Sequence, residues 1–234
     1  VARSFTTATD RVTFGTLGTF AWTYGTVGAV FYTVTAGNYR FALGTGHTTI
    51  EDSSWGVGDF DGPFYANSDA GDFVSASSFS IATGSWLLEA VTKATGAVAP
   101  RVHTYRWTNN LWVHEAMNNT VQNDAGADRI ILGNHHNDGS DHKSILSHMA
   151  AAFMLPGYAM ADGECERLAE GNWDLLLHTA QRWEWKSGRD QPSTSNLMRS
   201  WGPNSLRATS VTGTARSAVG DPPGFRFSRF TRRA

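Results

Sequence analysis

The densest run of ligand-binding side chains in this 234-residue chain is Asn134-His-His-Asn-Asp-Gly-Ser-Asp-His142. Asn134, His136 and Asp138 ahead of Gly139 imitate the opening of a calcium loop, where alternate oxygen donors face the ion and a glycine allows the turn. The bidentate acid such a loop needs at its twelfth position is missing, because Ile145 stands there. Imidazole suits zinc better than calcium, and adjacent His135 and His136 point to opposite sides of an extended backbone. The segment therefore reads as a solvated loop that holds no metal. Its Asn134, His136 and Asp138 are the candidates for a sugar contact, joined by Trp107, a flat ring beside a predicted turn.

The other carboxylates and nucleophiles suggest less. Asp59-Phe-Asp61 runs straight into Gly62-Pro63, which is turn chemistry. Glu164 and Glu166 sit two apart in a helical pattern and so project to different sides. His114-Glu115 begins like a zinc-protease helix, but Asn118 replaces the second histidine and the surrounding pattern is that of a strand. Cys165 is the single cysteine, so no intramolecular disulfide forms, and its place in a helical pattern suits a small buried hydrophobe. No nucleophile elbow, phosphate loop or dinucleotide fingerprint occurs. The residues alone therefore assign no catalytic group and no cofactor, and the expectation is a protein that is not an enzyme.

The elements that must position these side chains are mostly strands. Phe20, Trp22 and Tyr24 alternate along one predicted strand, and Val30, Tyr32 and Val34 along the next with Phe31 opposed; Gly25 to Gly28 reads as the turn between them. Tyr39 to Leu43 is a third strand closed by Gly44-Thr-Gly46, and 45–72 is an irregular connection with short strands. Trp86, Leu88 and Ala90 share a face of the strand from Ser85 to Lys93. Arg101 to Trp107 and Leu111 to Glu115 flank Thr108-Asn-Asn110, a hairpin signal. Trp22, Trp86 and Trp112 are expected in the core, whereas Trp55, Trp107 and Trp201 lie near turns or in irregular regions.

One helix is predicted. Asp162 is placed to cap it, Glu164 lies near its positive end, Cys165, Leu168 and Ala169 face a core, and Gly171 stops it. Many strands and one helix imply an all-β, two-sheet antiparallel sandwich. Past Leu177 apolar residues thin out. Residues 178–234 read as an extended arm packing on the domain of residues 1–177 or on neighbouring subunits.

Bulk properties narrow the setting. The 41% hydrophobic content supports a core, and 24 glycines suit many turns. With 17% charged residues and a net charge of −2, no whole-chain field calls for nucleic acid. No window has the apolar length of a membrane span. Residues 1–30 hold nothing like a secretion signal, so folding in a reducing cytosol is expected.

Arg3-Ser-Phe5, Asp10-Arg-Val-Thr-Phe14, Thr19-Phe-Ala-Trp-Thr-Tyr24 and the order Arg129-Ile-Ile-Leu-Gly133, Ser144 to Leu155, Asp162 to Gly171 resemble laminin-G-like, concanavalin-A-type jelly rolls over 2–177. That resemblance implies a jelly-roll fold shared by lectins and glucanases. The Glu-x-Asp-x-Glu strand of its retaining glucanases is absent here, so glycan degradation is not expected. Trp183-Glu-Trp185, a polar stretch, then Asp221-Pro-Pro-Gly-Phe225 resembles the ending of jelly-roll virion proteins from tailed phages of actinobacteria.

What this second resemblance implies is a structural virion protein, a minor tail protein or a capsid decoration, assembled in the host cytoplasm in several copies among other virion proteins. The alternative is an adhesin for host-surface glycan. In the arm, Phe225, Phe227 and Phe230 alternate with Arg226 and Arg229, which suits an assembly contact with buried rings and arginines at the rim. Four arginines without a basic domain behind them argue against a specific nucleic-acid partner.

Overall fold

The structure, a computed structural model, describes residues 3–7, 10–14, 24–34, 40–46, 56–59, 66–67, 73–74, 83–96, 98–117, 129–134, 145, 147–172, 181–184 and 208–211. The elements run β1 (Arg3–Ser4), β2 (Val12–Phe14), β3 (Gly25–Thr33), β4 (Arg40–Gly46), β5 (Gly56–Asp59), β6 (Ala66–Asn67) and β7 (Phe73–Val74). They continue with β8 (Ser85–Lys93), β9 (Arg101–Arg106), β10 (Leu111–Ala116), β11 (Arg129–Leu132), β12 (His148–Pro156), α1 (Asp162–Ala169), β13 (Gln181–Glu184) and β14 (Ala208–Val211). The fold is a two-sheet antiparallel sandwich. The larger sheet has the order β1-β12-β3-β8-β9-β10, with β13 also on β12, and the smaller β14-β2-β11-β4-β5; β6 and β7 pair separately.

Alternation decides which side chain enters which layer. Phe31, Leu87, Val91, Val102 and Ala152 point from the larger sheet toward Phe14, Phe41, Leu43 and Leu132 of the smaller one, and this is the main core. The opposite face of the larger sheet carries Val30, Trp86, Leu88, Ala90 and Phe153, and α1 covers it with Cys165, Leu168 and Ala169. So Trp86, Leu88 and Ala90 do share a face, with Val30 and Tyr32 beside them and Phe31 opposed.

Two local expectations are corrected. Gly25 to Gly28 is not a turn: both glycines belong to the nine-residue β3. Gly28 is there for close approach, since a Cβ on it would lie 2.4 Å from the Phe153 ring and 2.9 Å from the Glu89 carbonyl oxygen. Asp162 does not cap α1 either. The first turn is closed by Glu164, whose Oε2 accepts the Ala161 N–H at 2.9 Å, which frees Asp162 to turn elsewhere. At the other end the expected stop is present: Gly171 has φ +92°, its N–H meets the Leu168 carbonyl and that of Asn172 the Arg167 carbonyl.

The segment past Leu177 contributes strands to both sheets. β13 lies along β12 and β14 along β2. Phe225, Arg226, Phe227, Arg229 and Phe230 lie outside the described residues, as do Trp22, Trp55 and Trp201.

Asp10 ties the turn after β1 to the far end of β11. Its Oδ2 accepts the N–H groups of Thr6 at 2.6 Å and Thr7 at 2.9 Å, and its Oδ1 the Thr7 hydroxyl at 2.6 Å. Burial pushes the carboxyl pKa up, but these donors outweigh it and hold the group below its ordinary value of 3.8. The stabilisation is thus present above that value and is lost as pH falls through the lower folded-state value. Asp10→Ala is expected to cost about 1–3 kcal/mol at neutral pH, for the donors it leaves unmatched. Urea unfolding at pH 7 and pH 3 checks this, the gap to wild type narrowing at the acid end.

Candidate functional site

The β9–β10 hairpin turns at Trp107–Asn110, so residues equidistant from that turn face each other across the ladder. His103 pairs with His114 and Tyr105 with Trp112, and Ala90 of β8 pairs with His103. Alternation then puts both histidines and three aromatic rings on the face that α1 partly covers. Tyr105 and Trp107 meet edge to face at 5.1 Å, Tyr105 and Trp112 lie 4.7 Å apart, and Trp112 stacks on His114 at 5.2 Å. Tyr105, Trp107 and Trp112 are each half-buried, their bodies packed on the cluster under α1 and their edges reaching solvent. Trp112 is thus a boundary residue and not a member of the main core.

The polar half of this face is closed by α1. Asp162, at its start, receives Arg101 in a two-point pair, Nε on Oδ1 at 2.8 Å and Nη2 on Oδ2 at 2.7 Å. Asp162 Oδ1 is also 3.5 Å from His103 Nδ1 and 4.0 Å from His114 Nδ1, while the two Nδ1 atoms are 2.9 Å apart. One turn on, Glu166 Oε1 accepts from His114 Nε2 at 3.1 Å, and Thr92 Oγ1 lies 2.9 Å from His103 Nε2.

Burial, more than any neighbouring charge, pushes the His103 pKa down to about 4. His114 and Arg101 add to the shift and Asp162 opposes it. The Arg101 hydrogen bond holds Asp162 below its ordinary range, and in return Asp162 raises Arg101. Cys165 beneath them is buried, its thiol pushed up to about 12 by burial and the helix carboxylates, so it packs and does not attack.

Of the residues expected to touch a sugar, only Trp107 lies here. Asn134 is fully buried beyond the end of β11, donating from Nδ2 to the Asp10 carbonyl at 3.2 Å, so its side chain is committed inside the fold. His136 and Asp138 lie outside the described residues. Asp59 ends β5, and Asp61 also lies outside them. Glu164 and Glu166 do point apart, Glu164 to the Tyr158 hydroxyl at 2.6 Å and Glu166 to His114.

The sequence does not single out His103 or Arg101, and it offers His114 only as the start of a zinc-protease helix that Asn118 breaks. A hairpin turning at 108–110 would set position 103 against 115; the turn in fact takes in Trp107, and that shift of one residue pairs 103 with 114. Asp162 could not be found that way, because only the fold brings a residue 61 positions from Arg101 into contact with it.

No protein-family model matches the chain, and no curated protein matches it. Among solved structures the chain is similar to a heptameric SAP-like pentraxin from Limulus polyphemus: 12% identity, 73% of this chain, 81% of that one, TM-score 0.51. A two-sheet antiparallel jelly roll, as the sequence suggested, is therefore the fold. Scytalido-glutamic peptidase also matches, at 16% identity over 70% of this chain and 86% of that one, TM-score 0.33. So does SCP-B of the eqolisin family of peptidases, at 16% identity over 66% of this chain and 83% of that one, TM-score 0.30. The expectation that the chain is not an enzyme is withdrawn. At such TM-scores these neighbours assign no catalytic residue and no reaction to it.

Proposed function

We propose that the protein is a glycan-recognising jelly roll carried in several copies on the virion of a tailed phage. The observation that carries the glycan reading is the run of half-buried rings Trp107, Tyr105 and Trp112 on the outer face of the larger sheet. Fixed aromatic surfaces with exposed edges suit the apolar face of a sugar ring, and neighbouring Asn110, which accepts from the Tyr105 hydroxyl at 2.8 Å, adds polar groups beside them. Such contacts are weak singly and become firm when repeated over a particle.

The virion setting is supported by sequence alone, through Trp183-Glu-Trp185 and Asp221-Pro-Pro-Gly-Phe225. In that setting the chain serves as a minor tail protein or capsid decoration, and other virion proteins are its partners.

Multivalent display of the protein on a bead, tested against actinobacterial wall polysaccharides, examines the first half. Trp107→Ala and Trp112→Ala are each expected to weaken capture by about tenfold, or ~1.4 kcal/mol. Undiminished capture by both variants, or no capture by the wild type, refutes the glycan reading. Mass spectrometry of purified particles examines the second half, and absence of the chain from them refutes it.

A further inference from the structure

We infer that His103, His114 and Asp162 form a binding site for one divalent transition-metal ion, with zinc as the natural occupant. Nδ1 of each histidine and Oδ1 of Asp162 make a triangle with edges of 2.9, 3.5 and 4.0 Å. The centre of that triangle lies about 2.1 Å from all three atoms, the length of a zinc–nitrogen or zinc–oxygen bond. Two imidazoles and one carboxylate are a zinc-type donor set and a poor one for calcium or magnesium.

The surroundings orient the donors for this role. A carboxylate can only accept, so the contact of Glu166 with His114 Nε2 places a ring hydrogen on Nε2, and in the neutral ring the Nδ1 lone pair then faces His103. Thr92 can accept from His103 Nε2 in the same way, passing its own hydroxyl hydrogen toward the Arg101 carbonyl at 3.5 Å. With both rings neutral and so arranged, two Nδ1 lone pairs converge at 2.9 Å, and a metal ion shared by them offsets their repulsion. Histidine ligands backed by a carboxylate or hydroxyl on the far nitrogen are the usual outer shell of a metal centre.

Arg101 occupies one lone pair of Asp162 Oδ1 and leaves the other for the ion. The competing arrangement is a hydrogen shared between the two rings, with Thr92 donating to His103. At that centre the ion lies in the plane of its donors, so a tetrahedral site with water or a ligand in the fourth position forms when the two Nδ1 atoms spread from 2.9 Å to about 3.4 Å.

The test uses the full-length protein, stripped with chelator and titrated with zinc against a chromophoric chelator. One zinc per chain is expected, along with a tetrahedral cobalt(II) visible spectrum on substitution. His103 is buried, so its variants risk misfolding. His114→Gln and Asp162→Asn, at the edge of the cluster, are expected to weaken zinc binding by at least about 100-fold while circular dichroism stays that of the wild type. Glu166→Gln is expected to weaken it by about 10–100-fold. Less than one zinc per chain, an octahedral cobalt spectrum, or unchanged affinity in both edge variants overturns the site and leaves the proton-shared pair.

Discussion

Phe153→Ala is expected to destabilise the protein by about 3–5 kcal/mol, among the largest single losses the fold can suffer. The ring is fully buried between the larger sheet and α1, in the cluster that includes Leu88, Ala90, Cys165 and Leu168. It lies across Gly28, its cross-strand partner on β3. Removing it opens a cavity between helix and sheet that rigid neighbours fill only in part. The same geometry makes Gly28→Ala costly, since the added methyl lands on the ring, and overpacking of this kind runs to about 1–3 kcal/mol. In combination the two changes should partly cancel, the methyl entering space the ring has left. Urea unfolding of both singles and the double measures this coupling, and simple additivity would show that ring and glycine are not packed on each other.

The second large effect is expected at Gly133. Its φ is +79°, and a Cβ would lie 2.1 Å from the Phe5 ring. Its N–H is bonded to Ala42 O at 2.7 Å and its carbonyl accepts from Ile145 N at 2.9 Å, so the backbone is pinned on both sides. Gly133→Ala therefore meets two independent penalties, about 1–2 kcal/mol for the left-handed backbone and about 1–3 kcal/mol for the collision. Adding Phe5→Leu should return part of the second and none of the first. Thermal unfolding of the single and double variants separates them.

These two glycines also show how far the sequence could be read. The strand faces were legible because alternation is local: Trp86, Leu88 and Ala90 fall together whatever lies across the sheet. The helix was legible for the same reason, its buried stripe being Cys165, Leu168 and Ala169. Gly25 and Gly28 were read as a turn because a glycine pair gives the same signal whether it bends the chain or admits a neighbour's ring. Only the partner strand, more than a hundred residues away, distinguishes the two. Asp162 was misread likewise. An acid at a helix start is a good cap in isolation, but Glu164 takes that task and Arg101 claims the aspartate.

The candidate site was legible by halves. Trp107 stood out as a ring beside a turn, but it belongs to the turn itself, and the expected loop at 108–110 misses the His103–His114 pairing by one residue. The carboxylates that complete the cluster arrive on α1, and their position depends on how the helix docks. Asn134 failed as a surface donor because its amide is needed inside, on the Asp10 carbonyl. A polar residue at a strand end looks alike in sequence whether it faces water or closes a buried junction.

The pairing of β13 with β12 and of β14 with β2 has a kinetic consequence. During synthesis, both sheets lack a border strand until the residues around 181–184 and 208–211 have left the ribosome. Until then β12 and β2 each keep a stretch of unpaired backbone donors and acceptors, the template on which strands of other chains add. The β14–β2 contact, which joins the two ends of the described chain, also forms late. The nascent chain is therefore most prone to self-association just before β13 and β14 emerge, and chaperone dependence should concentrate in that interval.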